Sequence, residues 1–144
     1  MKAADTYLPV LKKVMVAIDE SETSREALKE AQNIAASYHG TLRIVYAVTD
    51  SDDADRQAGL KLLEHAKSAV GDGLEVETRL LQAEADYGLN GITEAVASAV
   101  KEWGADLLVV GTANRRGLER LVIGSVAEQL IAKVDVSILL VRPR

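Results

Sequence analysis

The chain has 144 residues, of which 48% are hydrophobic, and this is the length of one domain with a substantial core. The absence of cysteine excludes disulfides, thiolate metal sites and cysteine catalysis, and aromatic residues at only 3% leave the core to Ala, Val, Leu and Ile. A net charge of -5 and a single Trp provide neither a basic surface nor a stacking platform for nucleic acid. No signal peptide opens the chain, and no apolar run approaches the roughly 18 residues of a spanning helix, so we expect a soluble, cytoplasmic protein without membrane contacts.

The first predicted strand follows a mixed segment, residues 1–11, which contains Pro9 and is expected to form a loose arm. The apolar run Val14–Ile18 is typical of a parallel strand that is buried on both faces. Ser21 is expected to cap the helix that follows, because serine favours this position. Residues at helical spacing predict one buried face of this helix: Ala27, Leu28, Ala31, Ile34, Ala35 and Tyr38. Gly40 is placed to end the helix.

The second strand is predicted over Thr41–Val48, which is rich in Val, Ile and Tyr. The acidic cluster Asp50–Asp55 comes next and has two interpretations, a metal site or solvated acids at a helix N-terminus, of which we favour the second. The helix that follows is expected to reach about Val70, with a buried face made of Leu62, Leu63, Ala66, Ala69 and Val70. Leu74–Leu81 alternates apolar and polar residues, as an edge strand with one wet face does.

A polar connection over Gln82–Asn90 either reaches over a ligand site or simply links two elements. The next helix is predicted to end at Gly104. Its apolar face consists of Ile92, Ala95, Val96, Ala99, Val100 and Trp103.

The stretch that follows predicts a strand, a loop and the start of a helix. The strand is Asp106–Gly111, the polar loop runs over 112–123, and Gly124 and Ser125 open the helix. The first N–H groups of a helix lack intrahelical partners, and together with the helix dipole they form an anion site that suits phosphate. Arg115 and Arg116 add donors for phosphate oxygens. An alternative stays open, in which Gly124 is only a turn, Ser125 only an N-cap, and the arginines are solvated.

The last predicted elements are a helix and a strand. Val126, Ala127, Leu130 and Ile131 mark the buried face of the helix, and Val136–Val141 forms the strand. The alternation of strands and helices predicts an α/β fold, a doubly wound parallel sheet with right-handed crossovers and helices on both faces. In such sheets, ligands bind outside the carboxyl ends of the strands, where the winding reverses.

The spacing around Gly111 resembles the phosphate loop of the universal stress protein family. That loop has the pattern Gly, two residues, Gly, nine residues, then Gly followed by Ser or Thr, and here the positions are Gly111, Asn114, Gly124 and Ser125. Only Asn114 departs from the pattern. The similarity runs from the first strand to the last and includes Asp19–Ser21. It implies one Rossmann-like domain over residues 1–144, with five strands in the order 3-2-1-4-5.

The resemblance also implies an adenine nucleotide, ATP or AMP with or without magnesium, in the crevice between the first and fourth strands. Asp19 would accept hydrogen bonds from the ribose hydroxyls, or it is only a carboxylate at the start of a helix. The other implied positions are Ala17 and Ile18 along the nucleoside, Val48 at the adenine, Val110 and Val126 in the pocket lining, and Gly111, Asn114, Gly124 and Ser125 at the phosphates. The Asn114 side chain is expected to crowd a phosphate, which predicts a weaker site or a shorter nucleotide. Arg115 and Arg116 either compensate by their charge or are solvated.

No catalytic residue is predicted, because His39 and His65, the only histidines, fall at helical positions away from the strand ends. The chain also lacks the GxxxxGK[ST] loop of the P-loop enzymes. The favoured function is a nucleotide-dependent regulatory module of the universal stress response. The alternatives are a slow ATPase or phosphotransferase, and an interaction protein with an empty crevice. The resemblance implies a homodimer formed through the last strand, unless the N-terminal arm covers this apolar edge.

Overall fold

The computed structural model describes residues 10–49, 52–112 and 124–142. Its parallel strands form one sheet in the order β3-β2-β1-β4-β5, which confirms the predicted doubly wound α/β fold. The strands are β1 Lys13–Ala17, β2 Thr41–Val48, β3 Glu75–Gln82, β4 Leu107–Gly111 and β5 Ser137–Val141. The helices are α1 Glu22–Ser37, α2 Asp53–Ala69, α3 Leu89–Trp103 and α4 Ser125–Lys133, with a 3₁₀ turn at Ala85–Tyr87 before α3.

The core lies on both faces of the sheet because successive side chains of a strand point to opposite sides. In β1, Val14 and Val16 pack on the cluster that includes residues of α1 and α2, whereas Met15 packs on the cluster that includes residues of α3 and α4. All three side chains are fully buried. The continuous apolar runs of β1 and β4 are therefore what a strand covered on both faces requires.

Of the two expected helix signals of α1, the N-cap is confirmed in position only and the terminating glycine is wrong. Ser21 occupies the N-cap position, but its side chain makes no capping hydrogen bond, because its hydroxyl pairs with that of Thr23 at 2.9 Å. The left-handed residue after the helix is His39, with a φ of 55°, and Gly40 is not among the positive-φ residues. Gly40 serves a close approach instead, since a Cβ there would lie 2.2 Å from the carbonyl oxygen of Lys12.

Two residues that were predicted to be buried are exposed, both at the margin of a helical face. In α4, Ala127 and Leu130 are buried, but Ile131 is 52% exposed because each residue turns the direction by about 100° around the helix axis. In α2, the buried residues are Gly59, Leu63 and Ala66. Ala69 is exposed because it is the last residue of α2, where the chain leaves the helix.

The acidic segment before α2 acts at its N-terminus, in agreement with the favoured interpretation. Asp52 caps the helix, and its Oδ1 accepts a hydrogen bond from the N–H of Asp55 at 2.8 Å. Asp50 and most of the N-terminal arm, residues 1–9, lie outside the described residues. None of the described helices combines the length and apolar character that crossing a bilayer requires.

Candidate functional site

A cavity of about 530 Å³ opens at the carboxyl ends of β1, β2 and β4. It lies where the winding of the sheet reverses, because β1 and β4 are neighbours while their crossover helices belong to opposite faces. The N-terminal ends of α1 and α4 complete its wall. The sequence-predicted residues that line this cavity are Ala17, Ile18, Asp19, Val110, Gly111, Gly124, Ser125 and Val126.

Four predicted residues are not among the lining. Asn114, Arg115 and Arg116 lie outside the described residues. Val48 is buried, with 7% of its surface exposed, but it lies beyond the pairing of β1 with β2, which ends where Ala17 meets Val45. Earlier residues of β2 line the cavity instead: Val45, which pairs with Ala17, and then Tyr46 and Ala47. The adenine contact of Val48 stays a prediction.

The carboxylate of Asp19 has the helix-entry role that the sequence left open, and its contact with a ribose stays a prediction. Its Oδ1 accepts hydrogen bonds from the N–H of Ser21 at 2.7 Å and from the hydroxyl of Ser24 at 2.9 Å, as a carboxylate at the start of a helix does. The hydroxyl of Ser24 in turn accepts from the N–H of Asp19 at 2.7 Å. The second oxygen, Oδ2, accepts no hydrogen bond from any described residue. Asp19 lines the cavity, and a carboxylate oxygen is an acceptor for donors such as hydroxyls.

The start of α4 brings the backbone N–H groups of its first residues to the same cavity. Gly124 is the N-cap, with φ -68° and ψ 158°, and as a glycine it has no side chain with which to cap the helix. The first intrahelical bond runs from the N–H of Glu128 to the carbonyl of Gly124 at 3.0 Å. The N–H groups of Ser125, Val126 and Ala127, which line the cavity, therefore lack intrahelical partners. Ser125 is the first helical residue rather than the N-cap.

Gly111 allows a close approach of α1 to the end of β4, which the sequence around Gly111 did not indicate. It is the last residue of β4 and is not among the positive-φ glycines. A Cβ at this position would lie 2.6 Å from Oγ1 and 2.8 Å from Cβ of Thr23. The glycine therefore allows the first turn of α1 to reach the end of β4, where the Thr23 hydroxyl donates to the carbonyl of Thr112 at 2.8 Å.

Several polar lining residues were not predicted, among them Thr23, Ser24, Tyr46 and Thr112. Thr112 is only 2% exposed, and its hydroxyl has no hydrogen-bond partner within the described ranges. An unpaired buried hydroxyl is costly unless another molecule satisfies it. Two features of the sequence could have identified some of these residues: the hydroxyl side chains at the start of α1 and the threonine that directly follows Gly111.

Tyr46 lines the cavity with a phenol that is close to several carboxylates, of which Asp19 is also a lining residue. Burial raises the pKa of Tyr46 above its ordinary value, and the negative charges of Glu20, Asp19 and Asp55 raise it further. Both effects disfavour the phenolate. The hydroxyl therefore remains protonated and can donate a hydrogen bond at the edge of the cavity.

A sequence profile of the universal stress protein family matches residues 11–142. The chain belongs to the universal stress protein family. It is 30% identical to a universal stress protein of Methanocaldococcus jannaschii over 146 aligned positions, which cover 91% of this chain and 82% of the relative.

Solved structures of this family have the same fold. One is a universal stress protein in complex with cAMP, with 26% identity, a TM-score of 0.68, and coverage of 92% of this chain and 97% of that chain. Another is the universal stress protein of Archaeoglobus fulgidus in complex with dAMP, with a TM-score of 0.73 and coverage of 92% and 98%. At 21% identity, this second likeness shows the fold alone.

Proposed function

We propose that this universal stress protein binds an adenine nucleotide, ATP or AMP, in the cavity at the β1–β4 switch point and acts as a ligand-dependent regulatory module. One observation carries the proposal: the first residues of α4, whose N–H groups have no intrahelical partner, line the same cavity as Asp19, whose Oδ2 accepts no hydrogen bond from a described residue. Its volume of about 530 Å³ falls within the range of small-molecule sites, roughly 300–1,000 Å³.

The phosphate end of the ligand would lie at the start of α4. Three convergent N–H groups and the positive end of the helix dipole favour an anion there. The N-terminus of α1 borders the same cavity through Ser21, Thr23 and Ser24, and its dipole adds to the effect. Two helix N-termini at one cavity are an arrangement that suits a multiply charged group such as a phosphate chain.

The ribose end would lie at Asp19, whose Oδ2 can accept from a hydroxyl. Apolar side chains at the strand ends, Ala17, Ile18 and Val110, supply a surface for the nucleoside. Support also comes from the relative of known structure that is in complex with cAMP, because it shares 26% identity with this chain. A site with an anion-binding end at α4 and a carboxylate end at Asp19 is compatible with AMP and with ATP, and magnesium would accompany the phosphates of ATP.

Titration calorimetry of the whole protein with ATP, ADP and AMP tests the proposal. We expect saturable binding of at least one nucleotide, and a loss of affinity in Gly124→Val, whose side chain would stand at the open end of α4. Gly71→Ala is the matched control, because Gly71 lies outside the cavity lining and an added Cβ would meet only Gln32, at 3.6 Å. Failure of all three nucleotides to bind would refute the proposal, and equal binding by Gly124→Val would refute the placement of the phosphates.

Within the proposed module, β5 is an edge strand whose Ile138, Leu139 and Leu140 are only partly buried. An apolar edge with unpaired backbone groups favours pairing with a second copy of the chain. We expect a homodimer formed through β5, and light scattering of the purified protein checks it. A monomeric mass at every concentration would contradict this part of the proposal.

A further inference from the structure

A series of hydrogen bonds connects the carboxylate of the candidate site to the first residue after β4. Asp19 Oδ1 accepts from the N–H of Ser21 at 2.7 Å, and the hydroxyls of Ser21 and Thr23 are 2.9 Å apart. The hydroxyl of Thr23 donates to the carbonyl of Thr112 at 2.8 Å. Because a hydroxyl has a single hydrogen, Thr23 must accept from Ser21. The bonds therefore have one direction, from Ser21 through Thr23 to Thr112.

The central member of this series is buried, although it borders the cavity. Thr23 is 1% exposed, and a Cβ added at Gly111 would lie 2.6 Å from its Oγ1. If the hydroxyl is removed, the carbonyl of Thr112 loses its partner at a buried position.

Thr112 is held by its backbone, while its side chain remains unpaired. Its N–H donates to the carbonyl of Val141 at 2.9 Å, and its carbonyl accepts from Thr23. Its own hydroxyl is buried, lines the cavity and has no partner among the described residues. Two backbone bonds thus hold the main chain of a residue whose buried hydroxyl no described group satisfies.

We infer that Thr23 is a positioning residue: its hydroxyl sets Thr112 at the phosphate end of the cavity and links it to the carboxylate of Asp19. The inference rests on the proposed nucleotide site and deepens it. A ligand group that meets Thr112 then depends on the Thr23 hydroxyl, whereas the bonds from Ser21 and Ser24 to the Asp19 carboxylate do not involve it. Phosphate recognition is thereby coupled to Thr23, while the nucleoside contact at Asp19 is not.

The coupling predicts a difference between ligands with and without phosphate. Thr23→Val keeps the shape of the side chain but replaces the donor by a methyl group, which must move away from the carbonyl oxygen of Thr112. We expect AMP to bind roughly threefold to tenfold more weakly, since a typical hydrogen bond contributes about that much. Adenosine, which lacks the phosphate, should bind with an unchanged dissociation constant.

The experiment measures AMP and adenosine affinities by calorimetry for the wild type, Thr23→Val, Thr23→Ser and a control, Ser37→Ala. Ser37 also donates its hydroxyl to a backbone carbonyl, that of Asn33, but it is exposed at the far end of α1. Thr23→Ser retains the donor and should restore AMP binding, whereas a residue needed only for packing would not be rescued by a smaller side chain. Ser37→Ala should bind both ligands as the wild type does.

A second measurement needs no ligand and separates this inference from the proposed function. In the free protein, the amide of Thr112 should exchange with deuterium faster in Thr23→Val than in Thr23→Ser. Equal exchange rates, or equal losses of AMP and adenosine binding, would overturn the role of Thr23. A wild type that binds neither ligand would overturn the nucleotide site. The exchange rates would still decide whether the Thr23 hydroxyl holds the backbone of Thr112. If Thr23→Val does not fold, Thr23→Ala, which also removes the donor to Thr112, carries the same ligand and exchange tests.

Discussion

Gly111→Ala should destabilise the protein in the absence of any ligand. The new Cβ would lie 2.6 Å from Oγ1, 2.8 Å from Cβ and 3.0 Å from the backbone carbon of Thr23, so α1 or β4 must move. Overpacking of this kind costs about 1–3 kcal/mol. The loss of a glycine from the unfolded chain offsets roughly 0.4–1 kcal/mol of it. We therefore expect the free energy of unfolding to fall by about 1–2 kcal/mol.

Urea unfolding of the ligand-free protein, analysed by linear extrapolation, measures this difference. Gly71→Ala is the matched control, because its added Cβ meets only Gln32, at an ordinary distance of 3.6 Å. It should leave the stability unchanged or slightly higher. If Gly111→Ala is as stable as Gly71→Ala, the contact with Thr23 is not what requires the glycine. The reason would then have to lie with a ligand.

The remaining predictions concern the ligand, the pH and the packing of α4. Asp19→Asn retains an oxygen for the hydrogen bonds from Ser21 and Ser24 but loses the negative charge. Calorimetry should therefore show that AMP binds about tenfold or more weakly, whereas the affinity for dideoxy-AMP is unaffected. An equal loss of affinity for both ligands would contradict the ribose contact. Because the folded state raises the pKa of Tyr46, the stability that its neutral phenol contributes is present below the ordinary pKa of about 10 and is lost as the pH rises above it. Urea unfolding across this range should show a smaller alkaline loss in Tyr46→Phe, and identical profiles would contradict the shift. Leu130→Ala should lower the free energy of unfolding by about 2–5 kcal/mol, whereas Ile131→Ala, at an exposed position, should change it by no more than about 0.5 kcal/mol. Similar losses of stability in thermal unfolding would contradict the observed buried face of α4.

The alternation of strands and helices was predictable because each element carries its own pattern. The runs at Val14–Ile18 and Thr41–Val48 are apolar or β-branched, and the structure has strands at Lys13–Ala17 and Thr41–Val48. The strand order did not follow from these patterns, because nothing local in the sequence says which strands are neighbours. It came from the family resemblance, and the sheet confirms it.

The limits of sequence reasoning are clearest at helix margins. Ile131 and Ala69 matched an apolar spacing, yet one faces outward and the other ends its helix. Periodicity marks a stripe but not its width, and neighbouring elements decide which margin is covered. Gly40 shows a similar limit, since the reason for the glycine is the backbone of Lys12 in a different part of the chain.

Within the candidate site, the sequence pointed to the groups at strand ends and at the start of α4. Asp19 and Gly111 were expected to flank one crevice, and both line the cavity. The contact of Thr23 with Thr112 was missed because the two residues are 89 positions apart and neither belongs to a recognisable motif. Such a contact follows only from the packing of α1 against β4, which Gly111 permits.

The most direct test of the account is an NMR titration of the isotope-labelled protein with AMP. The largest shifts of backbone amide signals should occur at Gly111, Gly124, Ser125 and Val126 and should saturate together, because these groups border the phosphate end of the cavity. Largest shifts elsewhere, for example in the groove between β3 and α3 near Gln82, or no shifts at millimolar AMP, would contradict it.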